Sequence, residues 1–244
     1  MKSSDKPSVF GMLAAPPPLP RIAARALVAC AIAQRADLES HPDAAEAREL
    51  IDLANGWLAD HALIIEADPA EQQMLESAPG SLSEAQAARF APLAECAAVI
   101  AWALQRSALP AIDTDADAVA TAEALGWLDD TGAQLGTTAR LRPRDTLMAA
   151  LDAQGAVHWR LLERTRPGSA TISMSRFAPD AYEWPEGMTP FELRDDDLAL
   201  GGVPLAAVTP QALFDALRRA QERHRALLWL LGQQRSYWDV TLPG

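Results

Sequence analysis

The chain has 244 residues, of which 49% are hydrophobic and 22% charged, and its formal net charge is −12. This excess of carboxylates repels polyanions, and the arginines are scattered along the chain, so we expect no nucleic-acid partner. No apolar run approaches the ~18 residues of a bilayer span, and Cys30 and Cys96 make neither a disulfide framework nor a zinc spacing. We therefore expect a soluble, cytoplasmic protein with buried thiols and no membrane partner.

The N-terminal segment, residues 1–19, contains three consecutive prolines, which interrupt both a helix and a secretory signal. This composition predicts a flexible, proline-rich arm. The remainder, residues 20–244, is rich in alanine and leucine, which favour helix. It predicts a single, mainly α-helical domain of about six to seven helices with one small β-hairpin around residues 197–208.

Helix signals follow one another along the first half of the chain. Apolar residues recur every three or four positions over 21–38 and again over 42–61, which predicts two helices. Asp68 and Pro69 suit the N-cap and first position of a short third helix. From 93 to 104 every residue except Glu95 is apolar, which predicts a helix buried on all sides. Pro92 either begins this helix or kinks it.

The second half begins with a predicted helix over 115–128 and a loop rich in glycine and threonine. Pro143 then predicts the start of a long helix, which Pro167 and Gly168 end. Residues 169–197 are broken by prolines, which predicts an irregular connection.

The last predicted elements are a hairpin and a helix. Gly201 and Gly202 lie between alternating residues and predict a two-residue hairpin turn, preceded by a solvated run of three aspartates over 195–197. Thr209 and Pro210 then predict the start of a final helix that ends near residue 231.

Two predicted helices carry a histidine on their apolar face. At 100° per residue, His158 and His224 each fall on a stripe of leucines. Glu95 is the lone carboxylate of an apolar helix, and it needs a cationic or hydrogen-bonding partner. We predict a buried Glu95/His158/His224 cluster with Arg223 nearby, in which the carboxylate raises the pKa of His224.

Three interpretations of this cluster stay open. It is a polar network that fixes how the helices pack, or a ligand or substrate site in which the imidazoles act as acid and base. The third is a metal site, but no HExxH-like spacing supports it, so we expect neither a metal nor a cofactor.

Several motifs resemble a known family. The segments "LRPRDTLMAALDAQGAVHWRLLER", "DDDLALGGVPL", "ERHRALLWL" and "WDV", with "AECAAVIAWALQRSALP" upstream, are similar in type and order to those of a domain-of-unknown-function family, DUF4272. The resemblance implies a mainly helical bacterial protein and brings no established activity. Where the family has an asparagine before its motif tryptophan, this chain has Leu228.

The resemblance carries over to a set of motif positions. They are Glu95, Trp102, Arg142, Pro143, Asp145, His158, Trp159, Glu222, Arg223, His224, Trp229, Trp238 and Asp239.

The activity of the protein does not follow from these patterns. We expect a non-enzymatic protein that binds a protein or small-molecule partner, as a monomer or a homodimer. The alternative is a hydrolase whose catalytic residues are Glu95, His158 and His224. The candidate binding residues are Glu95, Trp102, His158, Trp159, Arg223, His224 and Asp239.

Overall fold

The computed structural model describes residues 15–39, 45–170 and 172–242. Residues 1–14 of the predicted arm and the start of the helix predicted from residue 42 lie outside this part. Residues 15–18 are not helical, and the first helix begins at Leu19, where the arm was predicted to end. The chain is mainly helical with a small antiparallel sheet, which confirms the predicted mainly α class.

The elements are numbered in chain order. The helices are α1 (Leu19–Leu38), α2 (Ala45–Asp60), α3 (Pro69–Glu76), α4 (Glu84–Phe90), α5 (Leu93–Ala103), α6 (Ala118–Leu125), α7 (Asp130–Ala133), α8 (Leu135–Thr138), α9 (Arg144–Arg164) and α10 (Pro210–Leu230). The strands are β1 (Leu193–Arg194), β2 (Asp197–Leu200) and β3 (Val203–Pro204).

The predicted helix starts agree with the structure where local chemistry determines them. Asp68 caps α3 by accepting from two backbone N–H groups, and Thr209 caps α10 in the same way with one. Pro143 lies directly before α9, and Pro92 occupies the N-cap position of α5, so Pro92 begins this helix. The short helices α7 and α8 occupy the region predicted as a loop, so the structure has more helices than predicted.

Helix α5 lies at the centre of the core. It packs against α1, α6 and α10, and α10 packs in turn against α9. Every residue of α5 from Cys96 onward is buried, and Trp102 is completely inaccessible to solvent. Among the helices of the described residues, none is long and apolar enough to cross a membrane.

The sheet contains the predicted hairpin and one further strand. Gly201 and Gly202 join β2 to β3 with φ angles of 56° and 77°, and this left-handed conformation suits glycine in a two-residue turn. Asp195 and Asp196 also have positive φ, and they form a second tight turn through which β1 pairs with β2. Residues 205–207 form a turn of 3-10 helix rather than strand. The prediction of a lone hairpin over 197–208 is therefore corrected to three strands.

The third aspartate of this run is not solvated. Asp197 is 5% exposed and accepts two hydrogen bonds from Arg160 on α9, from Nε at 2.7 Å and from Nη2 at 2.6 Å. Arg160 also donates to the carbonyl oxygen of Ala170. The ion pair fixes the sheet on α9, because neither charge could remain buried alone.

We predict that Arg160→Met lowers the free energy of unfolding by about 3–5 kcal/mol, since it leaves the Asp197 carboxylate buried without a cation. Urea denaturation measures this difference. The double variant Arg160→Met/Asp197→Leu should recover most of the loss. Arg166→Met is the matched control, because Arg166 pairs with Glu163 at the surface and should cost less than ~1 kcal/mol. Equal losses for the two arginine variants would contradict this assignment.

Candidate functional site

Helices α5 and α10 are joined by a buried ion pair. Arg223 is completely buried and Glu95 is 4% exposed, and the Arg223 Nε donates to Glu95 Oε2 at 2.7 Å. The partner that Glu95 needs in its apolar helix is therefore Arg223. A guanidinium suits this position because it stays charged and offers several fixed donors.

The same pair holds the loop between α5 and α6. Arg223 Nη1 donates to the carbonyl oxygens of Pro110 and Ala111, at 2.8 and 3.1 Å, and Nη2 donates to that of Thr114 at 2.9 Å. Glu95 Oε1 accepts from the backbone N–H of Ala116 at 2.8 Å. The path of residues 110–116 is thus set by side chains of α5 and α10.

The two inward histidines contact each other. The Nδ1 atoms of His158 on α9 and His224 on α10 lie 3.0 Å apart, with the ring planes at 70°. This contact needs one donor and one acceptor, which neutral rings of opposite tautomers supply. Gly155 lies beside the pair, and a Cβ there would make van der Waals contact with the His224 ring at 3.4 Å.

Burial keeps this pair neutral. Burial lowers the pKa of His224 to about 4, and repulsion by a positive charge on His158 is the second cause. Burial also lowers the pKa of His158, and the positive charge of Arg225 is the second cause. The predicted rise in the pKa of His224 is wrong, because the Glu95 carboxylate is paired with Arg223.

The structure therefore splits the predicted cluster in two. Glu95, His158 and His224 are all buried, as predicted, but among the described residues no ion pair joins Glu95 to either imidazole. The reason is the helical geometry of α10: Arg223 and His224 are successive residues, about 100° apart around the axis. Arg223 faces α5 while His224 faces α9.

A metal site has no support in this geometry. Within residues 15–39, 45–170 and 172–242, no three histidine, cysteine, aspartate or glutamate side chains converge in a way that could hold a metal ion. The histidine pair by itself offers two nitrogen ligands, whereas protein zinc sites use three or four protein ligands.

A large groove lies on the other side of the Glu95–Arg223 pair. Its volume is about 960 Å³, and it is bounded by α1, α4, α5, α6, the loop before α6 and the first half of α10. We call it the interhelical groove. Many of its lining residues are alanines, among them Ala33, Ala36, Ala87, Ala94 and Ala122 from four helices and Ala91 from the turn between α4 and α5.

The polar lining of the interhelical groove is mainly acidic. Its charged residues are Asp37, Glu84, Glu95, Asp115, Glu123, Asp215, Arg218 and Arg219. Neither His158 nor His224 belongs to the lining. Of the predicted cluster, only Glu95 reaches the groove.

The thiol in this groove is unreactive. Cys30 lines the groove but is only 7% exposed, and burial raises its pKa to about 12. Burial likewise raises the pKa of Cys96 to about 11. Both cysteines are free and buried, as predicted, and neither is a nucleophile at neutral pH.

The remaining predicted binding residues lie elsewhere. The Trp102 indole donates to the carbonyl oxygen of Glu186 at 2.9 Å and packs under Arg142, so it anchors a loop. Trp159 is 43% exposed and Asp239 is exposed, and neither lines the groove. Leu228, where the resemblance implied an asparagine, is buried among apolar side chains.

One buried network was not predicted. Arg25 on α1 donates to both carboxylate oxygens of Glu71 at 2.7 Å, and the Trp238 indole donates to the same carboxylate at 2.8 Å. Arg25 also lies over the Tyr237 ring, whose hydroxyl donates to Glu222 on α10. The sequence contained a signal for it, since Arg25 lies three residues from Ile22 and four from Ala29, on the apolar face of the helix, and an arginine there needs a buried anion.

Comparison with protein families gives one match, to the model described as "Domain of unknown function (DUF4272)", over residues 15–172. This match covers more than half of the chain. The chain belongs to the DUF4272 family. Comparisons with curated proteins and with solved structures give no match. In this DUF4272 chain the matched region contains Glu95 and His158, whereas their partners Arg223 and His224 lie beyond it.

The histidine pair predicts a pH dependence of stability. Because the pKa of His224 is about 4 when folded and ~6.5 when unfolded, the unfolded state binds more protons between these values. The stability from the neutral pair is therefore complete above pH ~6.5 and is lost as the pH falls towards 4. We expect His224→Gln to cost about 2 kcal/mol more at pH 7.5 than at pH 5.

Urea denaturation of the native protein and the variant at both pH values measures this difference. His61→Gln, at an exposed histidine just after α2, is the matched control and should cost less than ~0.5 kcal/mol. A larger cost of His224→Gln at the lower pH would mean that the imidazole is charged in the folded protein.

The Glu95–Arg223 pair predicts a graded loss of stability. Glu95→Ala should cost about 3–5 kcal/mol, since Arg223 loses its anion and the Ala116 N–H its acceptor. Glu95→Gln should cost less, because the amide oxygen still accepts one bond. Hydrogen exchange of the Ala116 amide should accelerate in both variants. Glu84→Ala, at an exposed groove carboxylate, should stay within ~0.5 kcal/mol of the native protein; equal effects at the two glutamates would place Glu95 in water.

Proposed function

We propose that this protein is a non-enzymatic binding protein whose interhelical groove receives an apolar ligand. The observation that carries the proposal is the groove itself, with its volume of about 960 Å³ and its lining of alanine methyl groups. Ligand pockets of proteins usually span roughly 300–1,000 Å³ and are predominantly apolar with a few polar groups. Burying apolar surface against this lining supplies the binding free energy, at about 25 cal/mol per Å².

The hydrogen bonds that hold the loop between α5 and α6 support the same proposal. Asp115 and Ala116 form part of the groove wall, and Arg223 and Glu95 hold residues 110–116 through four hydrogen bonds. A wall fixed in advance lowers the entropy that a ligand loses on binding. The groove is therefore suited to binding without a large rearrangement.

The alternative of a hydrolase that uses Glu95, His158 and His224 has less support. General acid–base catalysis needs its groups within hydrogen-bond reach of a common substrate. Glu95 faces the groove with both oxygens engaged by Arg223 and Ala116, whereas neither histidine lines it. Burial also lowers the pKa of both histidines, and the pKa of about 4 for His224 lies below the range of a base that works near neutrality.

Binding of a neutral solvatochromic dye, Nile red, tests the proposal. We expect the native protein to bind the dye with a rise in fluorescence. Ala122→Phe, which places a ring inside the groove from α6, should weaken binding at least about tenfold, or ~1.4 kcal/mol. Circular dichroism establishes that the variant is folded.

The matched control is Ala59→Phe, at an exposed alanine of α2 outside the groove. This variant should bind the dye as the native protein does. Unchanged binding by both variants would place the dye elsewhere and remove the support for the groove as the binding site.

A further inference from the structure

We infer that the occupant of the interhelical groove is a basic amphipathic helix of a partner protein, which lays its apolar face on the alanines and its Lys and Arg side chains on the rim. The inference rests on the proposed function and names the partner class. It is carried by the charge of the lining, by where the available charges lie, and by the apolar side chains beside the groove.

The lining carries an excess of negative charge. Six of its charged residues are carboxylates and two are arginines. Arg219 pairs with Asp115 at 2.6 Å, and Arg218 donates to the carbonyl oxygen of Ala88, so the carboxylates outnumber the guanidinium groups six to two. The groove therefore attracts cations and repels anionic ligands.

The available charges lie on the rim and not inside the groove. Glu95, the innermost carboxylate, is neutralised by Arg223. Glu84, Glu123 and Asp215 come from α4, α6 and α10, and the first two are exposed. A small cation bound inside the groove would need an unpaired carboxylate there. Carboxylates on three different helices instead suit a partner that carries several cations along its length.

Apolar surface continues beyond the groove. Val119 lines it and is 69% exposed, and Phe214, next to the lining residue Asp215, is 53% exposed beneath the Arg218 guanidinium. Exposed apolar side chains at the edge of a cavity indicate contact with a macromolecule, since a ligand held within the cavity would leave them in water.

The lining of the groove fits a helix as the occupant. Alanine side chains let a partner backbone approach closely, and an amphipathic helix offers apolar residues every three or four positions on one face. Its remaining face carries the cations that Glu84, Glu123 and Asp215 attract. A second copy of this chain is disfavoured, because each copy carries a net charge of −12.

Fluorescence anisotropy with a designed peptide tests the inference. The probe is a fluorescein-labelled peptide of about 18 residues, long enough for five helical turns, built from Leu and Ala on one face and Lys on the other. Its counterpart has Glu in place of every Lys. We expect the native protein to bind the Lys peptide at least about tenfold more tightly than the Glu peptide, with an affinity that falls as salt is added.

Two sets of variants locate the peptide. The triple variant Glu84→Gln/Glu123→Gln/Asp215→Asn should bind the Lys peptide about tenfold more weakly. The control Glu76→Gln/Asp180→Asn/Glu183→Gln removes the same number of charges outside the groove and should bind normally. Ala122→Phe and Ala87→Phe, each established as folded by circular dichroism, should both abolish binding.

Each other outcome overturns the inference. Equal weakening by the two triple variants would mean that the peptide responds to net charge alone. Nile red binding in the groove without binding of either peptide would leave the proposed function in place and identify a small apolar ligand. A dimer in analytical ultracentrifugation that Ala122→Phe dissociates would identify a second copy as the occupant.

Discussion

The buried guanidinium of Arg223 imposes a requirement that shapes the surrounding structure. Each of its N–H groups has lost water, so each must find an acceptor inside the protein. Helix α5 supplies one carboxylate, and the other acceptors are backbone carbonyls of residues 110–114. The connection from α5 to α6 must therefore fold back over α10. In this position the connection forms part of the wall of the interhelical groove. The need to satisfy one buried cation thus determines the path of a segment that lies more than a hundred residues before it in the sequence.

Local chemistry made much of the helical framework predictable. Capping residues and prolines act within one helical turn, which is why the starts of α3, α9 and α10 agree with their signals. The sheet was predicted in part, because Gly201-Gly202 is a strong turn signal whereas two aspartates in the left-handed conformation are a weak one. In α1 the spacing of Arg25 from Ile22 and Ala29 places it on the apolar face, but no local pattern identifies Glu71, which neutralises it in the core.

The candidate site was predicted only in its parts. Helical periodicity states which side chains point inward, and Glu95, His158 and His224 do so. Periodicity does not state which neighbouring helix each side chain contacts. Glu95 on α5 contacts Arg223, whereas His224 contacts His158 on α9, and the sequence could not predict this separation. The groove had no signal in the sequence, because its alanines and carboxylates come from five helices and a loop and form a surface only after packing.

The high thiol pKa values have a practical consequence for labelling. Maleimides and disulfide reagents attack the thiolate, and at neutral pH the pKa values of about 12 for Cys30 and about 11 for Cys96 leave almost none of it. A single cysteine introduced at an exposed position would consequently react far faster than either native thiol. Fluorophores or spin labels can thus be attached beside the groove with the wild-type cysteines left in place, and the interior of the protein undisturbed.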